Sequence, residues 1–260
     1  MAFEQINTIR VERAALDLLS KYGIECPGFD IEDLAEAEGL EVRRGDLPHA
    51  DAWLVRHPGG GGVIRVKSDM KESGRFRFSV GHELGHWILH PTLSQTIICT
   101  ASDLTDYAKS IPEAEANLFS ANLLMPAPWV RVELQKADPT FDVVEKIAAD
   151  FDTSLTAAAW RFVELSKQPV VLVFSRDGCI RWAKRSGLGQ SMFLKTGDSL
   201  PEHCATVESL ANGKNPKTAE DVGLKTWFPD WRCEEDAELF EDVRIAPEYG
   251  WALTLLWNPR

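Results

Sequence analysis

The sequence predicts an α+β protein in three parts: an N-terminal metallohydrolase domain over residues 1–130, a helical module over 131–167 and a β-rich domain over 168–260. Three observations predict this. Gly81-His82-Glu83-Leu84-Gly85-His86 has the HExxH spacing, in which 3.6 residues per turn bring both histidines to one helix face beside a carboxylate. Residues 141–165 carry the apolar spacing of two helices, broken by a turn at 150–153. From Pro169 onward the pattern alternates with period two, the signature of strands.

The 260 residues are 44% hydrophobic and 26% charged, a soluble globular composition with ample material for a core. A formal charge of -12 argues against a tight non-specific grip on DNA or on an anionic membrane. Cys26, Cys99, Cys179, Cys204 and Cys233 are scattered and odd in number, which reads as reduced thiols. The first residues have no apolar signal core and no stretch is long enough to span a bilayer, so a cytoplasmic protein is expected.

Residues 7–23 place Ile9, Ala14, Ala15, Leu18 and Leu19 at helical spacing, with Gly23 as C-cap. A second helix is expected over 31–38, with Asp30 as N-cap and Gly39 as its stop. Residues 41–47, 52–56 and 63–66 read as strands, and the glycine run 59–62 as a hairpin loop. That run is no phosphate loop, because no Lys-Ser/Thr pair follows it. The strand over 63–66 leads into the HExxH helix, which Ser73 opens. An extended peptide added to an exposed edge of this strand would lie across the metal; the alternative is a strand packed inside the sheet.

Phe76, Val80, Leu84, Trp87 and Ile88 supply the apolar face of the HExxH helix, and Pro91 ends it. Gly85 costs a helix interior about 1 kcal/mol against Ala, which calls for a close approach by the metal site or a neighbouring backbone. His90 lies one turn beyond His86 and reads as a ligand, as a transition-state donor, or as a helix-end histidine facing the last carbonyls. Three successive turns converge poorly on one ion, so reach favours the last of these.

Two histidines leave a zinc site a ligand short, and Asp103, Asp106, Glu113 and Glu115 follow as candidates. Ser110-Ile111-Pro112-Glu113 opens a helix that Pro126 stops. Glu113 therefore reads either as a capping-box member or as the third ligand, with Asn117 one turn further on to orient a ligand histidine. Glu115 points away from Glu113, and spacing leaves the choice between them open.

Set in a DNA groove, the second helix of the 141–165 module would present Ser154, Leu155, Thr156 and Ala157, with only Arg161 basic. In so acidic a chain, a packing or substrate-docking role is expected instead. Residues 169–175 and 179–184 form a hairpin about a turn at 176–178, and 192–195, 242–245 and 250–257 are further strand candidates. Trp182, Trp227, Trp231, Trp251 and Trp257 make this part aromatic-rich.

The block Arg75-Phe76-Arg77-Phe78-Ser79-Val80-Gly81-His82-Glu83-Leu84-Gly85-His86, followed by Glu113-Ala114-Glu115-Ala116-Asn117-Leu118-Phe119-Ser120-Ala121-Asn122-Leu123-Leu124-Met125-Pro126, is similar to the ImmA/IrrE family of metallopeptidases. That family has an R-F-T-x-A-H-E-x-G-H block and then an E-x-x-x-N-x-F-A-x-x-L-L-M-P block. The similarity is close over residues 60–127 and departs mildly at Ser79-Val80-Gly81 and Ser120. It implies a zincin-like domain holding zinc, or manganese in the same set, through His82, His86 and Glu113, with Glu83 as general base and Asn117 behind a ligand histidine. Tyr107 or His90 stands as the further donor to a developing oxyanion. The resemblance also implies a helix-turn-helix-like module after the protease domain and a GAF-like sensor at the C-terminal end, although no residue motif marks the latter. Its implied substrate is a helix-turn-helix repressor whose cleavage switches on stress-response or mobile-element genes, with no direct nucleic-acid or membrane partner. A non-proteolytic zinc-binding regulator and a DNA-binding transcription factor are the readings from other classes.

Overall fold

The computed structural model describes residues 6–47, 50–70, 73–92, 96–99, 110–134, 138–189, 191–231 and 238–258. The protein is mixed α+β and divides into two compact units, residues 1–129 with 148–154 and residues 130–147 with 155–260. Residues 131–167 are thus shared between the two. No helix among the described residues is long and apolar enough to cross a membrane.

In the first unit, α1 (Thr8–Lys21) is capped by Asn7, which accepts from the Arg10 N–H. It buries Ala15, Leu18 and Leu19 of the expected stripe together with Val11, while Ile9 is 78% exposed. Asp30 caps α2 (Ile31–Ala37) by accepting from the Glu32 and Asp33 N–H groups. Gly39, at φ +81, then turns the chain straight into β1 (Leu40–Gly45).

β2 (Ala52–Arg56) and β3 (Gly62–Lys67) form the expected hairpin, with Leu54 opposite Ile64. A fourth strand, β4 (Thr96–Cys99), pairs antiparallel with β2, giving the order β1-β3-β2-β4. β3 is therefore an interior strand, parallel to β1 on one side and antiparallel to β2 on the other. This corrects the idea that a peptide docks on the strand leading into the HExxH helix. The chain entering through α2 delivers β1 to that position, and among the described residues β1 and β4 are the edge strands.

α3 (Ser73–Leu89) lies against β2 and β3 and packs on α4 (Ile111–Leu124), which in turn packs on α1. Enclosure on several sides explains why α3 buries residues nearly all round from Phe76 to His86. The segment 148–154 sits at the start of α3: the Ser73 hydroxyl donates to Asp152 at 2.6 Å, and Arg77 lies 3.7 Å from the same carboxylate.

α5 (Ala127–Leu134) follows Pro126 directly. In the second unit, β5 (Val170–Arg176) and β6 (Cys179–Arg185) meet at Asp177-Gly178, both at positive φ as a tight hairpin turn demands. β8 (Phe240–Ala246), β9 (Trp251–Trp257) and the two-residue β7 (Glu220–Asp221) complete an antiparallel sheet of order β6-β5-β9-β8-β7. α6 (Phe141–Asp150) meets this sheet where the Phe141 N–H donates to Asp242, and α7 (Leu155–Leu165) packs on β5 and β6. Residues 192–195 form no strand; Met192 plugs the core from irregular chain.

Two helices here carry no clear pattern in the sequence, α8 (Ala205–Asn212) and the single turn α9 (Leu224–Trp227). α8 has Cys204 at its N-cap, which makes no side-chain cap bond. Its first N–H groups are met instead by Glu241 of β8, which accepts from Ala205 N, Thr206 N, the Thr206 hydroxyl and the Trp227 indole. Burial pushes the Glu241 carboxyl above its ordinary range, against those donors, and pushes the Cys204 thiol up to about 12, with Glu241 adding to the shift.

Candidate metal centre

Among the described residues, His82, His86 and Glu113 form the one group of three potential ligands whose donor atoms lie within 4.8 Å of one another. His82 and His86 are fully buried one turn apart on α3, and their Nε2 atoms are 3.0 Å apart. Glu113, in the first turn of α4, places one carboxylate oxygen 3.2 Å from His82 Nε2 and the other 3.3 Å from His86 Nε2. Its N–H is capped by Ser110 while its carboxylate faces the histidines, so the two roles weighed for Glu113 coexist.

This set fits a four-coordinate ion. Ligand bonds of roughly 2.0–2.1 Å at tetrahedral angles put neighbouring donors about 3.3 Å apart. Two neutral imidazoles and one carboxylate also match the borderline preference of zinc. Burial disfavours a charge on Glu113, yet hydrogen bonds and charge from His82 and His86 hold its carboxyl well below the usual range. Burial likewise opposes a charge on His82, but Glu113, Glu83 and Asn117 together raise its pKa. For His86, burial wins, and the neighbouring His82 and His90 lower it further against the pull of Glu113.

The close approach of α3 and α4 builds this site. A Cβ on Gly85 would stand 3.0 Å from Ala116 Cα and 3.2 Å from both the Ala116 carbonyl oxygen and Phe119 Cβ. One on Gly81 would meet the Ser120 hydroxyl at 2.6 Å, and that hydroxyl donates to the Phe78 carbonyl. The neighbour that Gly85 admits is therefore the α4 backbone, which is what brings Glu113 to the histidines. Gly85→Ala should gain about 1 kcal/mol of helix propensity and lose about 1–3 kcal/mol to overpacking against backbone that cannot give way. Net destabilisation in urea unfolding with weakened metal binding is the expected result; unchanged stability would mean the helices separate freely.

Asn117 Oδ1 lies 2.9 Å from His82 Nδ1 and accepts its proton, which leaves the Nε2 lone pair facing Glu113 and His86. Glu83 is fully buried beside His82. His90 does not join the ligand group, and its ring does not face the helix-end carbonyls either. Its nitrogens contact His86 Nδ1 at 3.2 Å and Glu115 at 3.0 Å. Arg56 takes the carbonyls, donating to His86 O and His90 O while its guanidinium lies over the Trp87 ring. Tyr107, Asp103 and Asp106 lie outside the described residues. Sequence reasoning missed Arg56, Arg10 and the part played by Glu115, because none belongs to a spacing motif; an arginine ending a strand before the HExxH helix was the only hint.

The chain is also similar to known proteins. Residues 35–162 match the family model described as the IrrE N-terminal-like domain, Peptidase_M78. The chain is 27% identical over 169 residues to a radiation response metalloprotease IrrE of Deinococcus radiodurans, covering 62% of this chain and 48% of that one. It is 28% identical over 162 residues to its counterpart in Deinococcus deserti, covering 60% of this chain and 54% of that one. The match therefore spans about half the length of these relatives. A solved structure of a Mycobacterium tuberculosis transcriptional regulator shares the fold over 96% of this chain and 76% of its own, with TM-score 0.61 and 16% identity.

Proposed function

From the premise that this chain belongs to the ImmA/IrrE family of metallopeptidases, we propose that it is a zinc-dependent endopeptidase cutting a helix-turn-helix transcriptional repressor. The observation that carries the proposal is the buried convergence of His82, His86 and Glu113 beside Glu83. Zinc held by these three residues supplies a Lewis acid that polarises oxygen and acidifies water. The rest is the chain's own work. Asn117 fixes the His82 tautomer, Glu113 brings the compensating charge, and Glu83 takes the proton from the attacking water and returns it to the leaving amine. Manganese would fit the same donors less closely, given the two imidazoles.

The reading gives the helical module no nucleic-acid role. What supports this is Arg161, the basic residue of α7, which is 3% exposed and paired with Glu164 at 2.8 Å. The five-stranded sheet of the second unit supports a sensor or partner-docking part, GAF-like in its general make-up of antiparallel strands and covering helices. Cleavage of one repressor in the cytoplasm would then derepress stress-response or mobile-element genes.

Incubating the zinc-loaded protein with small helix-turn-helix repressors from the same genome, any encoded beside its gene first, is expected to give two fragments from one cut in the cognate one, read by mass spectrometry. A repressor left intact by both the zinc and the manganese forms would sink the endopeptidase reading and leave the non-proteolytic regulator standing.

A further inference from the structure

Behind His86 runs a line of contacts that the peptidase reading leaves without a role. His86 Nδ1 is 3.2 Å from His90 Nδ1, His90 Nε2 is 3.0 Å from Glu115 Oε2, and the same oxygen is 2.8 Å from the Arg10 guanidinium. α3 supplies His86, His90 follows directly on its last residue, α4 supplies Glu115 and α1 supplies Arg10. His90 and Glu115 are buried, 9% and 6% exposed, whereas the Arg10 side chain is 51% exposed. Arg56 holds the backbone of the line by binding the carbonyls of His86 and His90.

We infer that Arg10, Glu115 and His90 form a positioning relay that sets which nitrogen of His86 carries its proton and so makes its Nε2 a metal ligand. The inference rests on the metal-site reading. Its logic is one of donors and acceptors. An ionised carboxylate only accepts, so the proton between His90 and Glu115 sits on His90 Nε2. A neutral imidazole protonated there offers a lone pair at Nδ1. His86 must then donate from its own Nδ1, which leaves the lone pair on Nε2, the atom 3.0 Å from His82 Nε2 and 3.3 Å from Glu113. With the opposite tautomer, His86 would aim an N–H into the centre and could not ligate. The Arg10 guanidinium donates to the same Glu115 oxygen that faces His90, at 2.8 Å. The two ligand histidines are thus served differently: His82 by one amide, Asn117, and His86 by a chain that reaches the surface. His90 is accordingly a positioning residue. Its distance from Glu115 and from His86 also accounts for Glu115 being spent here, two positions from Glu113 on the same helix.

The test uses two readouts that do not involve peptidase activity. Nitrogen-15 NMR of the metal-free protein reports the His86 tautomer, and competition with a chromogenic chelator reports zinc affinity. The parent is expected to show His86 protonated at Nδ1. His90→Leu should populate the Nε2–H tautomer and weaken zinc by about tenfold to a hundredfold, as removal of such outer partners does. His90→Gln keeps an acceptor and a donor at similar separation and should retain the parent tautomer and most of the affinity. Should His90→Leu not fold, Glu115→Leu, which removes the acceptor facing His90, is read the same way with an expected loss of several-fold. The inference is overturned if the parent shows His86 protonated at Nε2. It is equally overturned if His90→Leu and His90→Gln bind zinc equally well with His86 unmoved, or if Glu115→Leu changes neither readout. A parent that binds no zinc overturns the metal-site reading instead, and the tautomer measurement still decides the relay.

Discussion

Replacing Glu83 by Gln is expected to slow repressor cleavage by about 10²–10⁴-fold while zinc binding stays within a few-fold of the parent. The two side chains have the same shape, so the packing around this fully buried position is kept. What is lost is a base: an amide cannot take a proton from water. Glu83 sits next in sequence to His82 and acts on it electrostatically, raising its pKa, but it is not among the three residues that converge as ligands. Activity and metal content should therefore separate. Cleavage is followed by the appearance of fragments and zinc by chelator competition. If the variant cuts at the parent rate, Glu83 is not the base. If it still relieves repression at full strength in cells while cutting nothing, the protein works as a non-proteolytic regulator.

Glu113→Gln carries the second large effect, a loss of zinc affinity of more than about a hundredfold, beyond the range for outer partners. Glu113 bridges the two histidines with both oxygens, at 3.2 and 3.3 Å, and on the proposed reading its charge would compensate that of a bound ion. An amide oxygen there is neutral and a poorer ligand. Glu115→Gln, two residues away, should cost several-fold, because its carboxylate faces His90 and Arg10 instead. Titrating both variants side by side turns the choice between two nearby carboxylates into a measurement. Equal losses in the two would mean that the carboxylates share the site.

Much of the first unit was legible residue by residue. The His82/His86 spacing is a property of the α-helix itself, the Asp30 cap and Gly39 turn are local chemistry, and the hairpin of β2 and β3 follows from alternation about a glycine loop. The hairpin at Asp177-Gly178 was legible for the same reason. Less legible was anything decided across distance. β4 is only four residues long, and the apolar run over residues 192–194 reads as a strand but forms none among the described residues.

The sequence by itself determined the pair of histidines, the carboxylate between them and the resemblance that points to Glu113 and Asn117. It could do so because those relations hold within one helical turn or within a linked motif. Only the tertiary structure decided that β3 is interior, that Gly85 admits the α4 backbone, and that α8 is capped by Glu241 from a strand 36 residues on. It also decided that His90 turns to Glu115 and Arg10 instead of to the metal or the helix-end carbonyls. The last two share one reason. A buried donor or acceptor takes whatever partner the packing brings within about 3 Å, and those partners here lie from 25 to 105 residues away in the chain, where no local spacing records them.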